Sequence, residues 1–428
     1  MANKESDKRT PSTIEKFLLH LHPQRIDVRA IKFTRTFGLG GISALLFVIL
    51  CLTGLLLRFS YVPTVADAYD SILALENKSI FGKFIRSLHY LSAVSMIIIS
   101  FLHLIRVYYS QSIFKKRAEN WIYGLIMMLM VFAASFTGYL LPWDQLAYWA
   151  VTVITQIIEY IPLIGHSFAN TVRGGTEVNG NTLLNFYSLH TGILPILFIV
   201  LMGIHFWLVR KAGGVALPQQ EEKVKVKVFP NLVWKEVMTT AIVVAVLFVL
   251  AAVITAPLLE QANPHNSPNP SKAPWYFLGA QELLLHLHPV FSAVIIPLAA
   301  GIYFFALPYF RYTNLNIGVW FNSNKGKRVV VQSATLSFVF TFILIYLLEH
   351  FLHFDIWLSG WHSWLSTGLI PFILYVAPVT GALLYWRKKH MAQVTELFMA
   401  ITTIILSSYI CMMLVSLLLR GEGMLLIF

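Results

Sequence analysis

The sequence predicts an all-α integral membrane protein, a polytopic helical bundle of about nine transmembrane helices, and three observations carry that expectation. Hydrophobic residues make up 57% of the 428 and charged residues 12%, with a mean hydropathy of +0.68. That is more apolar surface than a soluble chain of this length can bury. Apolar runs recur at bilayer length, about 20 residues each. Basic residues gather in alternate loops: Lys115 to Arg117, Arg210 to Lys235, Arg311 to Arg328 and Arg387 to Lys389. This positive-inside pattern accounts for the net charge of +12 without a nucleic-acid partner and makes those loops cytoplasmic.

Taken in order, residues 1–36 form a polar N-terminal arm without the apolar core and cleavage site of a secretory signal, so nothing needs removing before the fold is read, and the basic loops put the N-terminus on the cytoplasmic side. Within it, residues 12–24 combine a Ser12/Thr13 cap, Glu15 and an apolar stripe, which suits a short interfacial helix or an ordinary arm. Spans are expected at 37–58, 84–108, 121–141, 186–209, 236–258, 289–310, 330–351, 364–386 and 394–418. The last two could instead form one broken hairpin. Nine spans place the C-terminus on the side opposite the N-terminus. A Gly pair, a Pro and alternating Lys and Val mark 213–235 as a cytoplasmic linker between a four-helix half, 37–212, and a C-terminal half, 236–428. Two long external loops, 142–185 and 259–288, are the expected meeting places for partners and substrates. Cys51 and Cys411 lie in apolar runs with no CxxC or CxxCH spacing, so neither a disulfide framework nor a thioether haem motif is expected.

The chemistry concentrates in two apolar segments. His89 and His103 are fourteen residues apart, and His190 and His205 fifteen. At about 1.5 Å and 100° per residue, each pair spans roughly 20 Å of helix and returns to within roughly 40° or 60° of one face. A single histidine on an apolar helix is more often a satisfied core residue than a ligand. Four at two matched depths point to two bis-histidine haems stacked across the bilayer, neutral imidazole being a common axial ligand. Glycines repeat the same interval: Gly40 and Gly54 in the first span, Gly124 and Gly138 in the third. Small residues let membrane helices pack closely, but at these matched depths they also clear room for a flat macrocycle. Arg86 and Arg106, near opposite ends of the second span, could pair with propionates or snorkel to the interface. His350, His353 and His362 sit among Trp357, Trp361 and Trp364 and read as an interfacial aromatic belt.

At this point the chain closely resembles the cytochrome b/b6 family, the membrane core of cytochrome bc quinol oxidoreductases. The resemblance runs from residue 30 to about 310 and rests on IRSLH, FTGYLLPWDQLAYWAVTVIT, FYSLHT and APWYFLGAQELL, in that order. It implies a low-potential b haem held by His89 and His190 on the external side and a high-potential one held by His103 and His205 near the cytoplasm. Quinol would be oxidised near PWDQ, with Asp144, together with Trp275 and Tyr276. One electron would go to an external acceptor and the other through the haems to a quinone-reduction site served by Arg210 and Lys211. Implied partners are a Rieske iron–sulfur protein and a c-type cytochrome in a homodimeric complex of the inner membrane. The fourteen/fifteen spacing resembles the plastid and Gram-positive branch, yet one polypeptide here joins what the plastid form splits.

Two departures stand out. The acidic residue that commonly precedes Trp-Tyr is replaced by Pro274, which cannot accept a quinol proton, so Glu282, His288 or Asp144 is expected to substitute. The alternative for Glu282 is a hydrated carboxylate at the membrane edge. Gly38 occupies the place of the cysteine that holds a covalent haem in the b6 branch, so no covalent haem is expected. A reading from another class, a transporter or proton channel relaying protons through the histidines, would require broken helices or an inverted repeat.

Overall fold

The computed structural model of the chain describes residues 24–219, 224–389 and 393–427. In chain order its main helices are α1 (Leu39–Arg58), α2 (Ala68–Lys78), α3 (Gly82–Tyr109), α4 (Lys115–Leu140), α5 (Gln145–Ile158), α6 (Gly165–Arg173) and α7 (Gly180–Lys211). There follow α8 (Val228–Val253), α9 (Leu278–His286), α10 (Val290–Tyr309), α11 (Asn324–His350), α12 (Trp364–Lys388) and α13 (Val394–Leu418). Among the described residues, nine of these are long and apolar enough to cross a membrane: α1, α3, α4, α7, α8 and α10 to α13. They correspond one for one with the expected spans, and α12 and α13 are two full-length helices rather than a broken hairpin. The expected interfacial helix at 12–24 lies, but for Gln24, outside the described residues.

The differences are at the ends. Helices α4, α7 and α11 begin between one and two turns before the apolar runs do, because polar residues such as Asn181 and Lys325 extend the helix into the interface without entering the hydrocarbon. Helix α8 occupies Val228–Val253 rather than 236–258. It stops where Ile254 turns extended (φ −107°, ψ 117°), ahead of Pro257, and Pro230 sits in its first turn, where a proline is tolerated. The stretch expected as a linker also carries a strand. Strand β2 (Lys225–Lys227) pairs antiparallel with β1 (Arg25–Asp27), Ile26 facing Val226.

Without water to drive apolar faces together, membrane helices associate through close packing and hydrogen bonds. In the front half α1 lies against α3 and α4 against α7, while α8 packs on the outer side of α3. In the back half α13 is the central helix, packed against α11 and α9. Its hydroxyls reach outward: Thr402 bonds the Tyr108 hydroxyl (2.9 Å), and Ser408 accepts from Thr341 (2.9 Å) and pairs with the Tyr375 hydroxyl (2.6 Å).

The first long loop is largely helical, and the start of the second is tied to it. Residues 142–185 fold as α5, α6 and the start of α7, and the segment 259–263 is laced to them as an edge. The Gln145 amide donates to the Glu260 carbonyl (2.8 Å), the Ala262 amide to the Trp143 carbonyl (3.0 Å) and the Asn263 amide to Gln145 Oε1 (2.6 Å). Asp144 caps α5 by accepting the Ala147 amide at 2.9 Å. The loops therefore form one ordered layer at the end of the bundle opposite the basic loops.

Candidate functional site

The four histidines meet in two pairs. The rings of His89 on α3 and His190 on α7 have centroids 6.2 Å apart, inclined at 72°, and those of His103 and His205 are 6.5 Å apart, at 71°. Each keeps some accessible surface at mid-span, as rings lining a gap between helices do. Two metal–imidazole bonds of about 2 Å, plus two ring radii of about 1.2 Å, span about 6.4 Å. Both gaps therefore fit a single metal held from either side.

Each glycine backs one of these rings. A Cβ at Gly54 would lie 3.3 Å from His89 Cε1, and one at Gly138 only 2.5 Å from His190 Cε1. At the other depth the distances are 3.1 Å from Gly40 to His103 and 3.8 Å from Gly124 to His205. The matched spacing read from sequence is thus a spatial match, glycine to histidine, on α1 facing α3 and on α4 facing α7.

The unequal intervals have a local cause. Residues Leu189–Ile193, which include His190, form a π-helical turn within α7. A π-turn accommodates one residue more than an α-turn, so fifteen residues on α7 subtend nearly the turn that fourteen subtend on α3. The two pairs stay in register although their sequence spacings differ.

Second-layer contacts, which the sequence reading missed, set the imidazole tautomers. The Thr53 hydroxyl donates to the Ile49 carbonyl (2.7 Å), so its lone pair faces His89 Nδ1 at 2.8 Å. His190 Nδ1 lies 2.9 Å from the Ala134 carbonyl and 3.4 Å from the Thr137 hydroxyl, which itself donates to Ala133. A carbonyl only accepts, so His190 Nδ1 carries the proton and its Nε2 keeps the lone pair a metal needs, and the Thr53 hydroxyl, engaged with Ile49, favours the same arrangement at His89. The Thr-Gly dipeptides Thr53–Gly54 and Thr137–Gly138 were the available signal.

The arginines are more committed than expected. Arg86 forms an ion pair with Glu76 and donates to the carbonyls of Ala256 (3.1 Å) and Pro257 (2.6 Å), tying α2 and the end of α8 to α3. Of the five donors of a guanidinium, Nε and one terminal N–H are not used in these bonds. Arg106 directs Nε to the Arg35 carbonyl (2.9 Å), and Arg210 is exposed at the end of α7, next to Lys211, whose ammonium lies 4.9 Å from the Trp207 ring.

At the end beyond the His89–His190 pair, Trp275–Phe277 form one 3-10 turn, and Trp275 and Tyr276 pack in the same apolar cluster as Leu88 and Leu91 of α3. Burial pushes the Tyr276 phenol up, with Tyr139 and Tyr90 adding to the shift. Asp144 also accepts the Leu259 amide at 3.3 Å. Its acidity is weakened by burial, which outweighs the amides of Ala147, Leu259 and Leu146 and the charge of Arg86. His288 Nδ1 accepts the Val290 amide (3.3 Å) and its ring packs on Tyr160.

Glu282 is not a hydrated edge carboxylate. It is fully buried, held by both arms of Arg420 (2.6 and 3.1 Å) and by His286 at 3.1 Å. Burial alone would raise it, but the bonds from His286 and Arg420 outweigh burial and hold its carboxyl below the usual range.

Comparison with known proteins identifies the family. Residues 27–213 match the family model described as cytochrome b/b6/petB. Cytochrome b6 of Acaryochloris marina (strain MBIC 11017) is 42% identical over 175 residues, covering 41% of this chain and 81% of that protein, and cytochrome b6 of Porphyra purpurea matches to the same extent. The chain belongs to the cytochrome b/b6 family. A solved chain described as a hyperthermophilic respiratory Complex III superposes with a TM-score of 0.66 over 85% of this chain and 94% of that one, at 24% identity. The shared fold therefore extends well past residue 213. Haem, quinone and electron transport follow from membership of the cytochrome b/b6 family, and they displace the transporter reading.

Proposed function

We propose that this chain is the cytochrome b subunit of a bc-type quinol oxidoreductase, oxidising quinol at the loop-covered end of the bundle and reducing quinone at the basic end. The observation that carries the proposal is the doubled His–Gly arrangement: two facing imidazole pairs, each backed by glycine. His89 and His190 would hold one b haem, His103 and His205 the other. Arg86 and Arg106, placed one at each depth, would offer their remaining donors to propionates. Bound haems would supply one-electron redox centres at two depths, the route for the second electron of each quinol toward a quinone near Arg210.

The chain's own work is positioning and proton handling. Trp275 and Tyr276 form an apolar, aromatic wall suited to a quinone ring and exclude water from it. Quinol oxidation releases two protons, of which an iron–sulfur partner's imidazole takes one. Asp144 is the better acceptor for the other, because its raised pKa brings it toward working pH, whereas Glu282 is held ionised by Arg420. The low-potential assignment to the His89–His190 pair, the orientation with the basic loops cytoplasmic, and assembly with a Rieske protein and a c-type cytochrome in a dimer belong to the same proposal. So does the division at 213–235 between a haem-binding half and a C-terminal half.

The test is haem counting with steady-state quinol oxidation in single histidine variants of the intact complex. His103→Leu and His190→Leu are each expected to remove one b haem and abolish turnover. Full haem content in either variant would refute the assignment.

A further inference from the structure

The segment carrying Trp275 and Tyr276 is held in place by the far end of the chain. The Tyr409 hydroxyl on α13 donates to the Tyr276 carbonyl at 2.6 Å. The Tyr409 ring lies so close to the backbone of Gly279 that a Cβ there would come within 2.8 Å of it. Just beyond α13, Arg420 grips Glu282 with two arms and sends Nη1 to Glu349 of α11 (3.0 Å) and to the Met424 carbonyl (2.8 Å). The Gly423 amide donates to Asn269 Oδ1 at 2.6 Å, and Lys272 reaches the Leu417 carbonyl at 3.3 Å. From Asn269 to Glu282 the loop is thus pinned before, at and after the aromatic pair.

A buried ion pair is weak evidence for added stability, since desolvation offsets most of the attraction, but a bidentate fork fixes geometry strongly. Glu282 and Arg420 are 0% and 3% exposed. Only five residues lie between Tyr276 and Glu282, so fixing one by its carbonyl and the other by its carboxylate leaves the intervening turn little freedom.

We propose that Tyr409 and Arg420, on and just after the last span, are positioning residues for quinol oxidation. They hold the Trp275–Tyr276 wall in its binding-competent conformation. This rests on the reading above that the wall lines the quinol site. If the loop samples other conformations once a pin is removed, the apparent affinity falls by the competent fraction while the chemistry in that fraction is unchanged.

The experiment uses the full complex, measuring kcat and KM for quinol together with haem content and reduced spectra. Tyr409→Phe keeps the ring against Gly279 and removes only the hydroxyl. Loss of one hydrogen bond predicts KM raised about three- to tenfold, with kcat within about twofold and both haems retained. Arg420→Lys, which keeps the charge and loses the fork, is expected to lie between the parent and Arg420→Gln. Should Arg420→Gln fail to assemble, Tyr409→Phe alone decides. Unchanged KM in Tyr409→Phe overturns the inference, as does a loss of haem in step with activity, which would mark a merely structural span. If Trp275→Ala also leaves both constants at parent values, the quinol-site reading itself has failed. If Trp275→Ala impairs turnover while Tyr409→Phe does not, only the positioning role has.

Discussion

Replacing Gly138 with alanine sets a methyl group 2.5 Å from His190 Cε1, 2.9 Å from Nδ1 and 3.0 Å from Nε2. Ordinary carbon contacts are about 3.5–4.0 Å, so the ring must retreat by about 1 Å. Overpacking of this kind costs about 1–3 kcal/mol. The same retreat draws His190 Nδ1 off the Ala134 carbonyl, now 2.9 Å away, forfeiting a bond of about 0.5–1.5 kcal/mol. Together about 2–4 kcal/mol is lost at the layer shared with His89, which lowers haem affinity there by about thirty- to several-hundred-fold. The assay is the haem-to-protein ratio of the purified complex, with a redox titration that resolves the two centres. The expected result is selective loss or weakening of one centre while the His103–His205 centre titrates as before. Gly54→Ala, whose Cβ would lie 3.3 Å from His89 Cε1, should be milder. Two full-occupancy haems with unchanged potentials in Gly138→Ala would refute the clearance argument.

Three further outcomes follow from the same geometry. Asp144→Asn keeps the α5 cap, since asparagine caps as well as aspartate, but removes the proton acceptor. Because Asp144 is raised by burial and must be ionised to accept, parent activity should fall as pH drops through that raised pKa. The variant should be slow throughout and lack that limb, and an unchanged pH–rate profile would exclude Asp144. Thr53→Val removes the acceptor facing His89 Nδ1. A less basic ligand stabilises the ferric state less, so one midpoint potential should rise while the other stays fixed, and equal shifts of both would contradict the assignment. Glu282→Gln strips the partner from a buried guanidinium and should cost about 3–5 kcal/mol, less whatever Glu349 recovers. Because the Glu282 pKa is depressed, the parent keeps this contribution at neutral pH and loses it only as pH falls below the usual carboxylate range. Thermal denaturation of parent and variant should therefore differ near neutrality and converge in strong acid.

Much of the front half was legible because its signals are periodic. Histidines and glycines recurring at fourteen or fifteen residues encode two depths, and apolar runs of bilayer length encode the helices, whereas which imidazoles face each other is implied only by the family resemblance. What the sequence concealed is contact between distant segments. Nothing near Glu282 announces that its partner is Arg420, after the last span, or that Arg86 spends its donors on Glu76 and two carbonyls. The helices α5 and α6 inside the long loop after α4 are short and do not stand out in the sequence, and Asp144 capping and the pairing with 259–263 order them. The fifteen-residue interval was read as a looser angular match, whereas the π-turn at His190 restores the register. That device has no residue signature of its own; it shows only as one residue too many.

The central claim is that two facing imidazole pairs each hold a b haem. Haem quantitation and the reduced-minus-oxidised optical spectrum of the purified complex test it most directly. Two b-type haems per chain are expected, each with a low-spin, six-coordinate signature and a potential of its own. A single haem per chain, or a spectrum without a b-type band, would contradict it.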